Sequence, residues 1–170
     1  ILIVPNIVLC FTEPMPLVAK VCNVLLPFSI YHMIMSWSGN CGKTFWILFP
    51  FLFFGAFQIV LLYLFGQSVI AVDMFLNLVT TNPGEALELL DNLIPAIIIV
   101  VLLYIPALVL AAVAVSKKRR LSETLVRRER KRARITVIAG ILSLVAAYLF
   151  DARYELKSDL YPANVCYNIA

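Results

Sequence analysis

The residues best suited to chemistry lie in Ala71–Asn92, between two apolar runs. This stretch carries Asp73, Asn77, Thr81, Glu85 and Glu88, with no Lys or Arg. Steps of four residues keep positions 73, 77, 81 and 85 near one side of a helix, drifting slowly around it. A carboxylate at a membrane surface is a good partner for an ammonium group, and partial desolvation strengthens the pairing. Asn77 and Thr81 add hydrogen bonds to phosphate or glycerol oxygens, and the first turn after Asn82 offers backbone N–H groups that suit an anion. Together these groups fit a zwitterionic lipid headgroup. A plainer reading stands beside it. Asn82 can cap, Pro83 suits a first turn, and Glu85 three residues after the cap completes a capping box. On that reading the stripe simply faces water.

The elements that would present these groups are two short helices, about 71–80 and 83–91, meeting at Asn82-Pro83. Val72, Phe75, Leu76 and Val79 fall largely elsewhere on the first wheel, which makes it amphipathic. The setting is a membrane. Of 170 residues 62% are apolar and only 14% charged, where a soluble domain averages nearer half and a quarter. The fold class expected is therefore all-α, a polytopic membrane helix bundle of about five spans. The first of these is truncated, because the chain opens on Ile1 inside an apolar run without a Met or a signal-peptide n-region. It ends at Ala170 without an obvious terminus, so it reads as part of something longer.

Ile1–Phe11, broken by Pro5-Asn6, is the end of the first span, about 16 Å at helical rise. Pro14 and Pro16 bar helix continuation. Leu17–Trp37 is long enough to cross, with Lys20 snorkelling at one end and Tyr31 and Trp37 at the other interface. After a polar loop, 38–44, the longest run is Phe45–Ile70. Leu93–Val115 is a further span with Pro106 as a kink, and Ile135–Phe150 is a short last one. Residues 1–150 thus form a transmembrane domain, and 151–170 a mixed-charge linker beyond it.

The loop 116–134 orients the rest. It holds ten of the fourteen Lys and Arg residues, opposed only by Glu123 and Glu129. Short basic loops stay in the cytoplasm. Counting back, the helices at 71–91 and the linker at 151–170 lie outside the cytoplasm. A nucleic-acid partner is not expected: the basic stretch lies between spans and lacks interleaved aromatics. Attraction to anionic headgroups accompanies the topogenic role.

Other chemistries fall away. Gly39-Asn40-Cys41-Gly42-Lys43-Thr44 ends like a phosphate-binding loop, but Trp37 stands where the pattern needs Gly. His32 is the only histidine, so no His-rich zinc site can form, and it reads as a polar packing residue. Cys10, Cys22, Cys41 and Cys166 have no CxxC spacing and read as buried thiols, although Cys10 and Cys166 could meet on the outer side. No catalytic residue and no metal ligand is expected in these residues.

Asn77, Thr81, Pro83 and Glu85, with Asn6-Ile7-Val8 before them and Glu155-Leu156-Lys157 and Pro162-Ala163-Asn164 after them, resemble the lipid A phosphoethanolamine transferases. These are sulfatase-like inner-membrane enzymes that include the mobile colistin-resistance proteins. The order and spacing match over the whole chain. One departure is Val72-Asp73, where the family often has Asp-Arg, so that contact does not carry over. The resemblance implies a five-helix membrane domain that anchors the enzyme and helps bind the donor, phosphatidylethanolamine. Asn77, Thr81 and Glu85 would then be donor-lipid headgroup contacts. A periplasmic catalytic domain with a Thr nucleophile and zinc, expected beyond Ala170, would pass phosphoethanolamine to lipid A. A related transferase with another lipid or glycan acceptor, or a non-enzymatic membrane protein, are the alternatives. A Thr in a zinc setting past Ala170 would favour either enzyme.

Overall fold

The computed structural model describes residues 1–65 and 82–169. These form helices α1 (Val4–Thr12), α2 (Leu17–Ser36), α3 (Cys41–Ile47), α4 (Phe49–Phe65), α5 (Pro83–Ser116), α6 (Glu123–Phe150), α7 (Leu156–Asp159) and α8 (Ala163–Ile169). Among the described residues there is no strand, and the all-α membrane bundle is the fold observed. By length and composition α2, the 93–116 part of α5, and α6 can each cross a bilayer. The bent pair α3–α4 makes a fourth if taken as one broken span. Their outer surface is apolar, with Ile98, Leu102, Leu110, Ile138, Leu142 and Leu149 at least half exposed. In water such a surface would aggregate, whereas in lipid it is the solvated face.

The central packing is α2 against α6. Lipid tails are as apolar as Leu, so these helices gain little from hydrophobic burial and depend on close approach. The residues that allow it are small and heptad-spaced. Ala133, Thr136, Gly140, Ser143 and Ala147 line α6, facing Ala19, Cys22, Leu26, Ser29 and Ser36 of α2. A Cβ at Gly140 would stand 2.5 Å from Ser29 Oγ and 3.3 Å from Leu26 Cα. The hydroxyls are satisfied within their own helices: Ser29 donates to Leu26 O at 2.7 Å, Thr136 to Ala133 O at 2.9 Å and Ser143 to Gly140 O at 2.7 Å. This pairing is antiparallel, so His32 lies near Glu129 (3.6 Å) and Thr136 at one end, while Cys22 meets Tyr154 Oη at 3.4 Å at the other.

Four boundaries differ from the sequence reading. The run 45–70 is not one straight span: α3 and α4 meet at Leu48 with a 59° bend. Pro50 explains it, since it lacks the N–H that would bond Trp46 O and its ring crowds that carbonyl. Most of the loop expected at 38–44 belongs to α3. The helix starting at Pro83 does not stop near 91 but runs on through Pro95 and Pro106 to Ser116. No glycine or asparagine stop follows Asp91-Asn92 that would outweigh the apolar run after it. Lastly, the basic stretch is only partly a loop. Ser122 caps α6 by accepting from Leu125 N, so Arg127 to Arg134 lie on the first turns of a 28-residue helix.

Gly140→Ala is expected to destabilise the detergent-solubilised protein by ~1–3 kcal/mol, because the added methyl must displace Ser29. Ser29→Gly in the same chain should restore most of that loss, read as the thermal unfolding midpoint. An unchanged midpoint for Gly140→Ala would mean that the two helices are not in this register.

Candidate functional site

Of the three residues singled out for headgroup contact, Asn77 and Thr81 lie outside the described residues. Glu85 lies in the first turn of α5, although its side chain falls outside what is described. The backbone nevertheless locates this turn. The helix has 34 residues, about 51 Å at helical rise against a hydrocarbon core of about 30 Å. Its C-terminal end runs into Lys117–Arg120. Glu85 therefore stands at the end remote from the basic turn, about 46 Å from Ser116 along the axis. Pro83 opens the helix directly after Asn82, the order expected of a cap followed by a first-turn proline.

The same remote end holds a buried polar node that the spacing of residues did not reveal as a unit. Asn6 of α1 and Asn23 of α2 are both fully buried, and Asn6 Nδ2 donates to Asn23 Oδ1 at 3.1 Å and to Tyr161 O at 2.7 Å. Asn23 Oδ1 also accepts from Tyr161 N at 3.3 Å. Two amides thus bind both backbone groups of Tyr161, just before the cis Tyr161-Pro162 bond. The Tyr161 ring is 1% exposed, packed with Leu9, Leu61 and Leu62. Its hydroxyl comes near Gly55 of α4, where an added Cβ would meet Pro5 Cγ at 3.1 Å, Tyr104 Oη at 3.2 Å and Tyr161 Oη at 3.6 Å. Burial, with Tyr31 and Tyr104 adding to it, pushes the Tyr161 phenol well above its ordinary range and keeps it neutral.

This node brings together two stretches that are more than 150 positions apart: Asn6-Ile7-Val8 and Pro162-Ala163-Asn164. The residues after the last span therefore do not trail off as a mixed-charge tail. Tyr154 and Leu160 pack into the α2–α6 cluster with Ala19, Cys22 and Ala147, and Tyr161 enters between α1, α2 and α4. Asn23 and Tyr161 were missed. The available signal was an amide inside an otherwise apolar span, which is costly unless paired. The node contains no nucleophile and no group that titrates near neutrality, so its part is positional.

The remaining sequence candidates resolve simply. All four cysteines are free, and only Cys22 is buried; Cys166 is exposed and Cys10 and Cys41 are half-buried. Among the described residues no three His, Cys, Asp or Glu side chains gather to hold a metal ion.

Asn23→Ala is expected to cost ~1–3 kcal/mol, because it strands Tyr161 N and part of Asn6 in a dry site. Tyr161→Phe should cost less, since the hydroxyl has no hydrogen-bond partner among the described residues. Hydrogen exchange read by mass spectrometry should show faster exchange at Tyr161–Asn164 in Asn23→Ala only. Equal protection in both variants would remove the node.

A family model described as phosphoethanolamine transferase EptA/EptB matches residues 28–170, from the middle of α2 through α8. No curated protein and no solved structure matches the chain. The matched stretch contains Asn77, Thr81, Glu85 and the docked Tyr161–Asn164 segment, while Asn6 and Asn23 precede it. The match spans well over half of the residues, and the chain belongs to the phosphoethanolamine transferase EptA/EptB family.

Proposed function

We propose that this chain is the membrane part of an inner-membrane enzyme that moves phosphoethanolamine from phosphatidylethanolamine to a lipid A phosphate. In that exchange the P–O bond to diacylglycerol breaks, a phosphoanhydride bond forms to the lipid A phosphate oxygen, and diacylglycerol leaves as the alcohol with the proton the acceptor phosphate gives up. Two negative charges on lipid A are then partly offset by the new ammonium, which weakens cationic antimicrobial peptides. Family membership supports the transferase class. The donor and acceptor lipids are our reading of the membrane setting.

In this scheme Asn77, Thr81 and Glu85 hold the donor headgroup, with the carboxylate taking the ammonium and the amide and hydroxyl taking phosphate or glycerol oxygens. What supports it is the position of Glu85 on the first turn of α5, about 46 Å along the helix from Ser116, a distance longer than a hydrocarbon core of about 30 Å. A carboxylate there meets headgroups of the outer leaflet. The nucleophile and the zinc belong to a separate periplasmic catalytic domain. Among the described residues no three His, Cys, Asp or Glu side chains gather as a ligand set for that metal. The docking of Tyr161 on Asn6 and Asn23 supports a fixed point of attachment for that domain.

In the intact enzyme, Glu85→Ala and Asn77→Ala are each expected to lower phosphoethanolamine transfer at least tenfold, with membrane abundance unchanged. Each loses one hydrogen bond to a charged group, ~1.5–3 kcal/mol. Mass spectrometry of extracted lipid A reads the result. Normal modification by both variants would leave Glu85 as a helix cap and nothing more.

A further inference from the structure

We propose a phosphate-ester site at the opposite, basic end of the bundle, in the cleft between the α2–α3 loop and the α5–α6 turn. The cleft is a cavity of about 270 Å³, and four cationic side chains line it: Lys43, Lys118, Arg119 and Arg120. Asn40 lies beside them.

The backbone forces this convergence. Lys118 takes a positive φ of 48°, and Arg119 N bonds Ala114 O at 2.9 Å, so the turn closes tightly and carries three successive cations into one place. The facing loop is drawn against it by its glycines. A Cβ at Gly42 would stand 2.7 Å from Ala111 O and 3.0 Å from Val115 Cγ2, and one at Gly39 would stand 3.2 Å from Leu121 O. Leu121 N bonds Gly39 O at 2.9 Å, and Arg130 Nη2 donates to Trp37 O at 2.8 Å, so the loop is tied from two directions. The Gly-rich run that failed as a nucleotide loop is used here for close packing.

The charges are not neutralised from within. Among the described residues no carboxylate lies within ion-pair distance of any of the four, and the nearby Glu123 pairs with Arg127 at 3.8 Å. Like charges gathered this closely repel, and an anion between them removes that cost. Two arginines and two lysines around a pocket suit a phosphate, which arginine can grip through two N–H donors. Trp37, 73% exposed and next to the cleft, marks the depth as the membrane interface, where phosphate esters are abundant. The ligand is a phosphate group, supplied by the headgroup of an anionic phospholipid or by free phosphate.

The test is native mass spectrometry of the purified full-length protein released from detergent. It is titrated separately with phosphatidylglycerol, phosphatidylcholine and inorganic phosphate. Phosphatidylglycerol should be retained about tenfold better than phosphatidylcholine, which is zwitterionic and is not the donor lipid. A cation bonded directly to the phosphate contributes about fivefold or a little more, so Lys118→Gln/Arg119→Gln should weaken retention about thirtyfold and Lys43→Gln about fivefold. Lys131→Gln, on α6 outside the cleft, should change nothing. The double variant keeps eight of the ten cations of 116–134 (10 − 2), enough to hold the topology. Displacement of the lipid by millimolar inorganic phosphate, with the same dependence on Lys43 and Lys118, would identify free phosphate as the occupant. The site is overturned if neither probe is retained above phosphatidylcholine, or if Lys131→Gln weakens retention as much as the cleft variants.

Discussion

Inside a bilayer, apolar side chains gain nothing by leaving lipid for one another, and no water is available to satisfy a polar group. That constraint decides how this chain holds together. Its longest contact, α2 against α6, is built from alanine, glycine and serine, which let two backbones approach and let dispersion contacts accumulate. Each serine or threonine in the seam bonds a carbonyl of its own helix, so none is left waiting for water. On α6 the large apolar residues Ile138, Leu142 and Leu149 face outward instead.

The same constraint gives the two ends of the bundle different chemistry. At one end, buried amides of Asn6 and Asn23 capture the backbone of Tyr161 and bind the segment after the last span into the core. At the other, the tight turn at Lys118 and the loop at Gly39–Gly42 gather cations. The long α5 connects them, with Glu85 in its first turn, remote from the basic end. The fold and the charge distribution thus give the bundle two chemically distinct ends, in a chain of the phosphoethanolamine transferase EptA/EptB family.

Much of this was legible in the residues. Length and hydropathy gave the helical membrane class, and the clustering of Lys and Arg identified the basic turn. Family motifs marked Asn6 and Asn164 without saying that their neighbourhoods touch. What could not be read is what depends on pairing between distant segments. The small residues of α6 look unremarkable along one helix and acquire meaning only opposite Ser29. Asn23 reads as a lone polar residue until Tyr161 arrives from 138 positions away. The bend at Leu48 was within reach, because Pro50 announces it; apolar length alone masked it. The headgroup residues Asn77 and Thr81 fall outside the described residues, and their case rests on spacing and resemblance.

The account depends on the bundle having opposite faces in opposite compartments. Cys166 is exposed next to the Tyr161 node, and Arg120 is exposed in the basic turn. A membrane-impermeant maleimide applied to intact cells reads both directly, in a variant retaining Cys166 as its sole cysteine and in a cysteine-free variant carrying Arg120→Cys. The expected result is labelling of the first from outside and of the second only after the membrane is permeabilised. Labelling of Arg120→Cys in intact cells, or protection of Cys166 until permeabilisation, would contradict it.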